Sequence, residues 1–549
     1  MIKVTLDPKV LAALTLAFPK PENSAANAIE KYRVLLEELL SNAVQLGRST
    51  YEIKLKLYSI PVEALSAKGP HIGSLKNGTR VRLHRWLEQN NLSLIKNVER
   101  GTSQNKIWSK VSLTKLMTIE DVISNSLNAI KTSTNTKKID SLLTGDDQTN
   151  SELFDFLYPD YYKLTPAKRA EIYEPVPINI KSLLNYIVWL NTKSRKYKKE
   201  QKQEILRQAT TILCIAKHTK KQLDALAKKQ QPNLSSASLR RNKPVESIFF
   251  QRQKPSVFGR TYYKGTSVQN VNKELRSAML GDCWEYDIRG SVVCWKLGIA
   301  IDICAEQAAY RKKFFASIWY LEDKNGFVAD IIRSTFDSKS NVKPEQQKEY
   351  VKKAITALSF GARAQAKGWR ARGGEWVNPA LAEIIMDVNE RNRFVNCYTV
   401  KHFIQEQIEI DAFIYKMVAA ENPALLLKPY LRTEKSPSKS KIVAYFYQRS
   451  ETLIMKNVEK VLLKNGRKII ARIHDAFVVK NKLSVDLQDE IEYAMQLSDG
   501  NPFWKLKATE LKAYKSNFHD VRVEELAHRN RMKQAQKDAA SGVTHRAIM

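Results

Sequence analysis

Two aspartates at the ends of apolar strands, and a helix with lysines four residues apart, are the parts of this chain best suited to chemistry. Asp475 stands in Ala471-Arg-Ile-His-Asp-Ala-Phe-Val-Val479, which reads as a buried strand, a two-residue polar interruption and a second apolar strand. That is the pattern of a tight β-hairpin. An ionised aspartate so close to Ile473 and Phe477 costs free energy unless something pairs with it, and a divalent metal would do so. A carboxylate that caps the turn or meets a lysine is the plainer alternative. Asp287 stands in Cys283-Trp-Glu-Tyr-Asp-Ile-Arg-Gly-Ser-Val-Val-Cys-Trp295. There the strand-like spacing of Trp284, Tyr286 and Ile288 gives way to a helix-like apolar run after Ser291. A metal carboxylate often sits at such a junction, but a lone aspartate there could also cap the following helix. Between the two aspartates, Glu345–Gly361 reads as a helix with Lys348, Lys352, Thr356 and Phe360 on one face. Two cations, a hydroxyl and an aromatic ring can hold a triphosphate and stack a base; the same stripe could instead simply face solvent.

The composition indicates what such a site would act on. The 549 residues are enough for several domains, and 90 Lys and Arg against 57 Asp and Glu leave a formal net charge of +33. The excess runs along the whole chain with Trp and Tyr interspersed, which points to nucleic acid more than to a membrane surface. Cys214, Cys283, Cys294, Cys304 and Cys397 show no CxxC spacing, so neither a zinc site nor a disulfide framework is expected, and a reducing cytosol suits them. No signal-peptide pattern and no bilayer-length apolar run is visible, so a soluble cytoplasmic protein is expected.

The elements that must position these residues can be outlined in order. Residues 1–128 read as a small domain: a helix over Ala26–Leu46, a basic helix over Asn77–Glu88 with Arg80, Arg82 and Arg85, then a hairpin up to Leu113 with a basic tip. A basic helix followed by a hairpin resembles a winged helix-turn-helix that binds nucleic acid or a partner. Residues 129–152, rich in Thr, Ser, Asn, Asp and Lys, read as a linker. Residues 153–250 read as a helical basic region, with an antiparallel helix pair over 181–229 able to grip a duplex backbone. The character changes beyond Phe249.

In their order, the later segments resemble the core shared by family A DNA polymerases and bacteriophage-type single-subunit RNA polymerases. Asp287 matches the first palm motif, Lys348, Lys352, Phe360 and Gly361 the fingers helix, and His474-Asp475 the last palm motif. Gly259-Arg260 with Gln269-Asn270 resembles the template-gripping motif, and Gln448 the polar residue on the helix before the last motif. The resemblance covers about 250–549. It implies an α+β right-hand fold, with palm and fingers in 251–549, fingers at about 300–430, and the 181–229 pair as thumb. It also implies two Mg²⁺ ions on Asp287 and Asp475, and triphosphate binding by Lys352 with Lys348 or Lys353. Lys352 would protonate the leaving group and Phe360 would stack near the incoming base. Gly259, Arg260, Gln269, Asn270, Gln448 and His474 would contact primer or template.

The sequence departs from both subfamilies in ways that bear on the sugar. Val292, five residues beyond Asp287, stands where the DNA enzymes carry Glu and the RNA enzymes Gly. Phe360 stands where both usually carry Tyr. Neither side chain can hydrogen-bond a ribose 2′-hydroxyl, which tilts the reading to dNTPs. Ile473-His-Asp-Ala-Phe477 and Gly259-Arg-Thr-Tyr262 look closer to the RNA polymerases, and Lys348 replaces the usual Arg. The expectation is a monomeric DNA polymerase without proofreading, in phage- or plasmid-type replication in a bacterial or phage-infected cell. A single-subunit RNA polymerase or primase-like enzyme is the alternative within this class. The rival class is a non-enzymatic origin- or promoter-binding protein in which both aspartates are structural.

Overall fold

The computed structural model describes residues 2–17, 22–45, 52, 54–72, 81–99, 109–133, 135–192, 197–230, 247–304, 307–338, 340–370, 376–377, 379–433 and 436–515. The fold mixes helices and sheets, and the chain divides into two compact units. One comprises Met1–Lys254, Tyr263–Cys283 and Leu511–Met549; the other comprises Pro255–Tyr262 and Trp284–Glu510. The division therefore does not follow the expected boundaries, since 263–283 and the segment from 511 group with the N-terminal residues.

In the first unit, strand Ile2–Leu6 pairs antiparallel with Met117–Asp121. Tyr58–Ile60, Ser109–Leu113 and Ile95–Glu99 form a three-stranded sheet. Tyr32, Leu36, Leu40, Ile60, Leu83 and Val111 supply the core between this sheet and its helices. A helix followed by a hairpin is present, but the helix runs only over Leu83–Gln89. Arg82 precedes it in extended conformation and donates to the Gly69 carbonyl at 2.7 Å. Arg85 is exposed on the helix, whereas Arg80 and the hairpin tip at 100–108 lie outside the described residues.

The expected linker at 129–152 is not a linker. It contains the end of helix Ser124–Thr132, then Thr136–Gly145, then most of Asp147–Leu157. Two of its Asn and Asp residues, read as loop signals, are helix caps. Asn135 accepts from the Lys137 N–H at 2.8 Å, and Asp146 accepts from the Thr149 N–H at 3.2 Å. Ile139, Leu143, Leu153 and Phe154 are buried. The helix pair read at 181–229 forms as Ile180–Thr192 and Lys199–Gln230, packed on each other. Part of its cationic surface is already used, because Lys217 pairs with Asp140 and Lys221 with Asp147.

The second unit is built on a four-stranded sheet. β1 (Cys283–Ile288) is followed by α1 (Ser291–Ala300), α2 (Lys324–Thr335), α3 (Pro344–Ser359), α4 (Tyr398–Glu421) and α5 (Lys439–Lys464). Then come β2 (Ile469–Ile473), β3 (Ala476–Val479), α6 (Val485–Asp499) and β4 (Leu506–Leu511). The strand order is β2-β3-β1-β4. All four residues of β3 are buried, as an unbroken apolar run in a central strand requires. Ile355, Phe327, Phe403, Tyr447, Phe477 and Trp504 belong to one continuous core beneath the helices. The buried Glu406 carboxylate of α4 caps helix Phe315–Glu322 from outside, accepting the Ala316 and Ser317 N–H groups at 2.9 and 2.8 Å.

Candidate active site

The register of the sheet brings the two aspartates to neighbouring strand ends. Asp287 lies opposite Ala476 across the antiparallel pair β1–β3, and Asp475 immediately precedes Ala476. The Ile288 N–H donates to the Asp475 carbonyl at 3.1 Å. Burial, then the Asp475 charge, then that of Glu285 push the Asp287 carboxyl up to about 7, against the pull of the Lys324 and Lys507 ammoniums. Two carboxylates crowded together in a partly desolvated site behave in this way.

His474 and Asp475 are the two residues of a tight turn, since Ile473 pairs directly with Ala476. His474 sits at φ 47°, a left-handed conformation that costs a non-glycine residue about 1–3 kcal/mol. A glycine would avoid that cost, so the strain points to a use for the imidazole. Its ring meets Tyr262 edge-on at 5.4 Å, and the Tyr262 hydroxyl donates to Gln448 Oε1 at 3.4 Å. His474 and Gln448 are thus joined through Tyr262, a residue that the spacing of the sequence did not single out.

The lysine helix forms as expected. Pro344 at its start presets the backbone angle of the first turn, and Val351, Ala354, Ile355 and Leu358 bury its inner face. Lys348 and Lys352 lie one turn apart on another face. Burial, then the charges of Lys348, Lys324 and Lys507, lower the Lys352 ammonium, so these four cations share one field. Lys324 is also lowered by burial, with Asp287 partly offsetting. Its amine lies 4.6 Å from the centre of the Tyr320 ring. Lys353 is not in this group: it pairs with Glu349 at 2.7 Å on the exposed side of α3.

Phe360 caps the helix and is 38% exposed. Gly361 follows at φ 82°, and its N–H donates to the Leu358 carbonyl at 2.9 Å while that of Ala362 donates to Ala357 at 3.0 Å. That paired ending needs a left-handed residue, so Gly361 stops the helix and sets the direction of Phe360. The buried Lys296 of α1 fixes the same end, donating to the Ser359 carbonyl at 2.7 Å and pairing with Asp411 of α4 at 2.6 Å.

The site therefore contains a carboxylate pair, a field of four lysines of which Lys324 and Lys507 act on Asp287, and an exposed aromatic ring at the end of the helix that carries the other two lysines. No protein-family model matches this sequence, and no curated protein matches it. Seventy-seven solved chains match in structure. One is the POL domain of Pol1 from M. smegmatis, solved in complex with DNA primer-template and dNTP. That match has a TM-score of 0.33 and 13% identity, covering 72% of this chain and 66% of that chain, just under two thirds of its length.

Other expected contacts are placed differently. Arg260 does not reach outward: its guanidinium is clamped by Glu451, with Nε donating to Oε1 at 2.7 Å, and it donates to the Tyr447 hydroxyl at 3.2 Å. Burial works against this charge, but the hydrogen bond and charge of Glu451 raise its pKa. Gly259 lets the chain pass close to α5, where a Cβ would meet Arg449 Cγ at 3.4 Å. Gln269 and Asn270 belong to the other compact unit, where the Asn270 amide staples its own loop by donating to the Gly265 carbonyl at 2.9 Å. Val292 is packed into the core at 5% exposure. Lys324 and Lys507 went unnoticed in the sequence. Lys507 lies in strand Leu506–Leu511, and only the strand order places it beside β1.

The raised Asp287 pKa has a measurable consequence. Its folded value, about 7, lies above the ordinary 3.8, so the folded state binds the proton more tightly. Metal-free protein should therefore lose stability as pH rises from about 4 to about 7. In chelator-treated samples, the fall in Tm between about pH 5.5 and about pH 8 should be smaller for Asp287→Asn than for wild type. Parallel profiles for the two proteins would refute the raised Asp287 pKa.

Proposed function

We propose that this protein is a template-directed nucleotidyltransferase, and specifically a DNA polymerase that extends a primer 3′-hydroxyl with dNTPs. The observation that carries this reading is the juxtaposition of Asp287 and Asp475 with the field of Lys324, Lys348, Lys352 and Lys507. Carboxylates beside cations could simply neutralise one another. Here burial and then the Asp475 charge keep the Asp287 carboxyl raised even with two lysines in reach, which is the state a divalent cation relieves. Among the described residues no group of three or more His, Cys, Asp or Glu side chains suited to a metal lies together. A pair of carboxylates nevertheless suits Mg²⁺, which usually takes one or two from the protein and completes its shell with water and substrate phosphates.

Asp287 and Asp475 would hold the Mg²⁺ ions, which when bound lower the pKa of the attacking hydroxyl and neutralise phosphate charge. The lysines would draw in the triphosphate and hold its β- and γ-phosphates. The 3′-oxygen bonds to the α-phosphorus, its proton passing to solvent water, as the bond to the bridging oxygen breaks. Lys352, its pKa already lowered, supplies a proton to the departing pyrophosphate. Phe360 would stack against the incoming base, and His474 with Tyr262 and Gln448 would meet the primer end. Phe360 offers a 2′-hydroxyl no hydrogen bond, which supports deoxynucleotides. The helix pair of the first unit and the overall positive charge support binding to a nucleic-acid backbone.

Primer extension with purified protein on a primed DNA template, with dNTPs and rNTPs in parallel, tests this directly. Extension with dNTPs at a kcat/KM about tenfold or more above that with rNTPs is expected, corresponding to ~1.4 kcal/mol of discrimination. A preference for rNTPs would overturn the choice of sugar. No incorporation of either nucleotide, with duplex binding intact, would favour the binding-protein class.

A further inference from the structure

A chain of hydrogen bonds runs from the interior of the second unit to the Asp475 carboxylate. Arg260, clamped by the buried Glu451, donates to the Tyr447 hydroxyl at 3.2 Å. Tyr447 donates to Ser291 Oγ at 2.8 Å, and Ser291 donates to Asp475 Oδ2 at 2.5 Å. A carboxylate can only accept, so Ser291 spends its single proton on Asp475 and accepts that of Tyr447, which in turn accepts from Arg260. The chain ends on one oxygen of Asp475. Its members are rigidly held: Tyr447 is 1% exposed, and its ring packs against Trp295 and Phe360, each at 5.7 Å. Ser291 opens α1, directly after the β1 segment that carries Asp287.

We propose that Ser291 and Tyr447 are positioning residues for Asp475. The relay holds Oδ2 and so limits rotation of the carboxylate, which would leave Oδ1 for a cation. This rests on the reading of Asp475 as a metal carboxylate. Because Tyr447 also meets Phe360, the ring expected at the incoming base and the carboxylate at the reaction centre are held by one side chain. Outer hydrogen-bond partners of metal ligands typically govern affinity or rate by about 10- to 100-fold.

The test uses full-length protein and Mn²⁺ alone as probe, with free Mn²⁺ read by electron paramagnetic resonance. Tyr447→Phe keeps every ring contact and removes one hydroxyl; Ser291→Ala breaks the chain at its last link; Ser291→Thr restores a hydroxyl. Mn²⁺ affinity should fall about tenfold in Ser291→Ala and Tyr447→Phe and return toward wild type in Ser291→Thr. In primer extension, kcat should fall by a similar factor with KM for the nucleotide little changed. Wild-type affinity and kcat in Ser291→Ala and Tyr447→Phe, beside lost Mn²⁺ binding in Asp475→Asn, would overturn the relay alone. Equal Mn²⁺ binding by wild type and Asp475→Asn would overturn the metal reading and the relay with it.

Discussion

Asp287→Asn and Asp475→Asn should each lower primer extension by on the order of a thousandfold or more, equivalent to ~4 kcal/mol of transition-state stabilisation. Asparagine nearly preserves shape and keeps one oxygen but removes the charge that holds a cation. The two aspartates lie on adjacent strand ends in one field, so the double variant should be scarcely worse than either single one. Binding of a primed duplex should stay within about threefold of wild type, because the chain keeps its large positive charge. Single-turnover extension and fluorescence anisotropy separate the two quantities. Variants that extend primers at the wild-type rate would make both aspartates structural, as the origin- or promoter-binding class requires. Lost extension with equally lost duplex binding would point to misfolding instead.

The second large effect is on stability. The Arg260–Glu451 pair is almost fully enclosed, with side-chain exposures of 15% and 2%. Removing one partner leaves the other charge buried without compensation, which costs about 3–5 kcal/mol. Arg260→Met and Glu451→Met should each show that loss in urea unfolding followed through the second unit. Combined, the two should cost markedly less than the sum, because no orphan charge remains and methionine fills the space. Simple additivity, or single losses below about 1 kcal/mol, would show that the ion pair is incidental. Its role as the anchor of the relay makes a further demand: Arg260→Met should also weaken Mn²⁺ binding, although Arg260 touches neither metal nor substrate.

Much of the site was legible because it depends on local pattern. The alternation before Asp287 and the apolar runs flanking Asp475 specified strands, the four-residue recurrence specified the lysine helix, and the interruption at His474-Asp475 specified a tight turn. These are properties of backbone period and side-chain polarity, which act over a few residues. The Thr- and Asn-rich segment around 129–152 shows where that reasoning fails. Cap residues and loop residues are the same amino acids, and only the burial of Ile139, Leu143 and Leu153 separates the two cases.

What the tertiary structure decided is which polar groups meet. Arg260 and Lys353 looked as available as Lys348 and Lys352, but Glu451 and Glu349 take them. Lys324 and Lys507 carried no motif, yet helix packing and the strand order β2-β3-β1-β4 bring them into the field of Asp287. The Tyr447–Ser291–Asp475 relay joins residues from α5, α1 and the hairpin turn, far apart in the chain. Charge and hydrogen bonding act through space over a few ångströms, whereas sequence pattern reports only on neighbours along the chain. Local pattern supplied the chemical vocabulary of this protein, two carboxylates, a lysine helix and a tight turn, and the packing of one sheet against its helices decided which of its charges are spent on the fold.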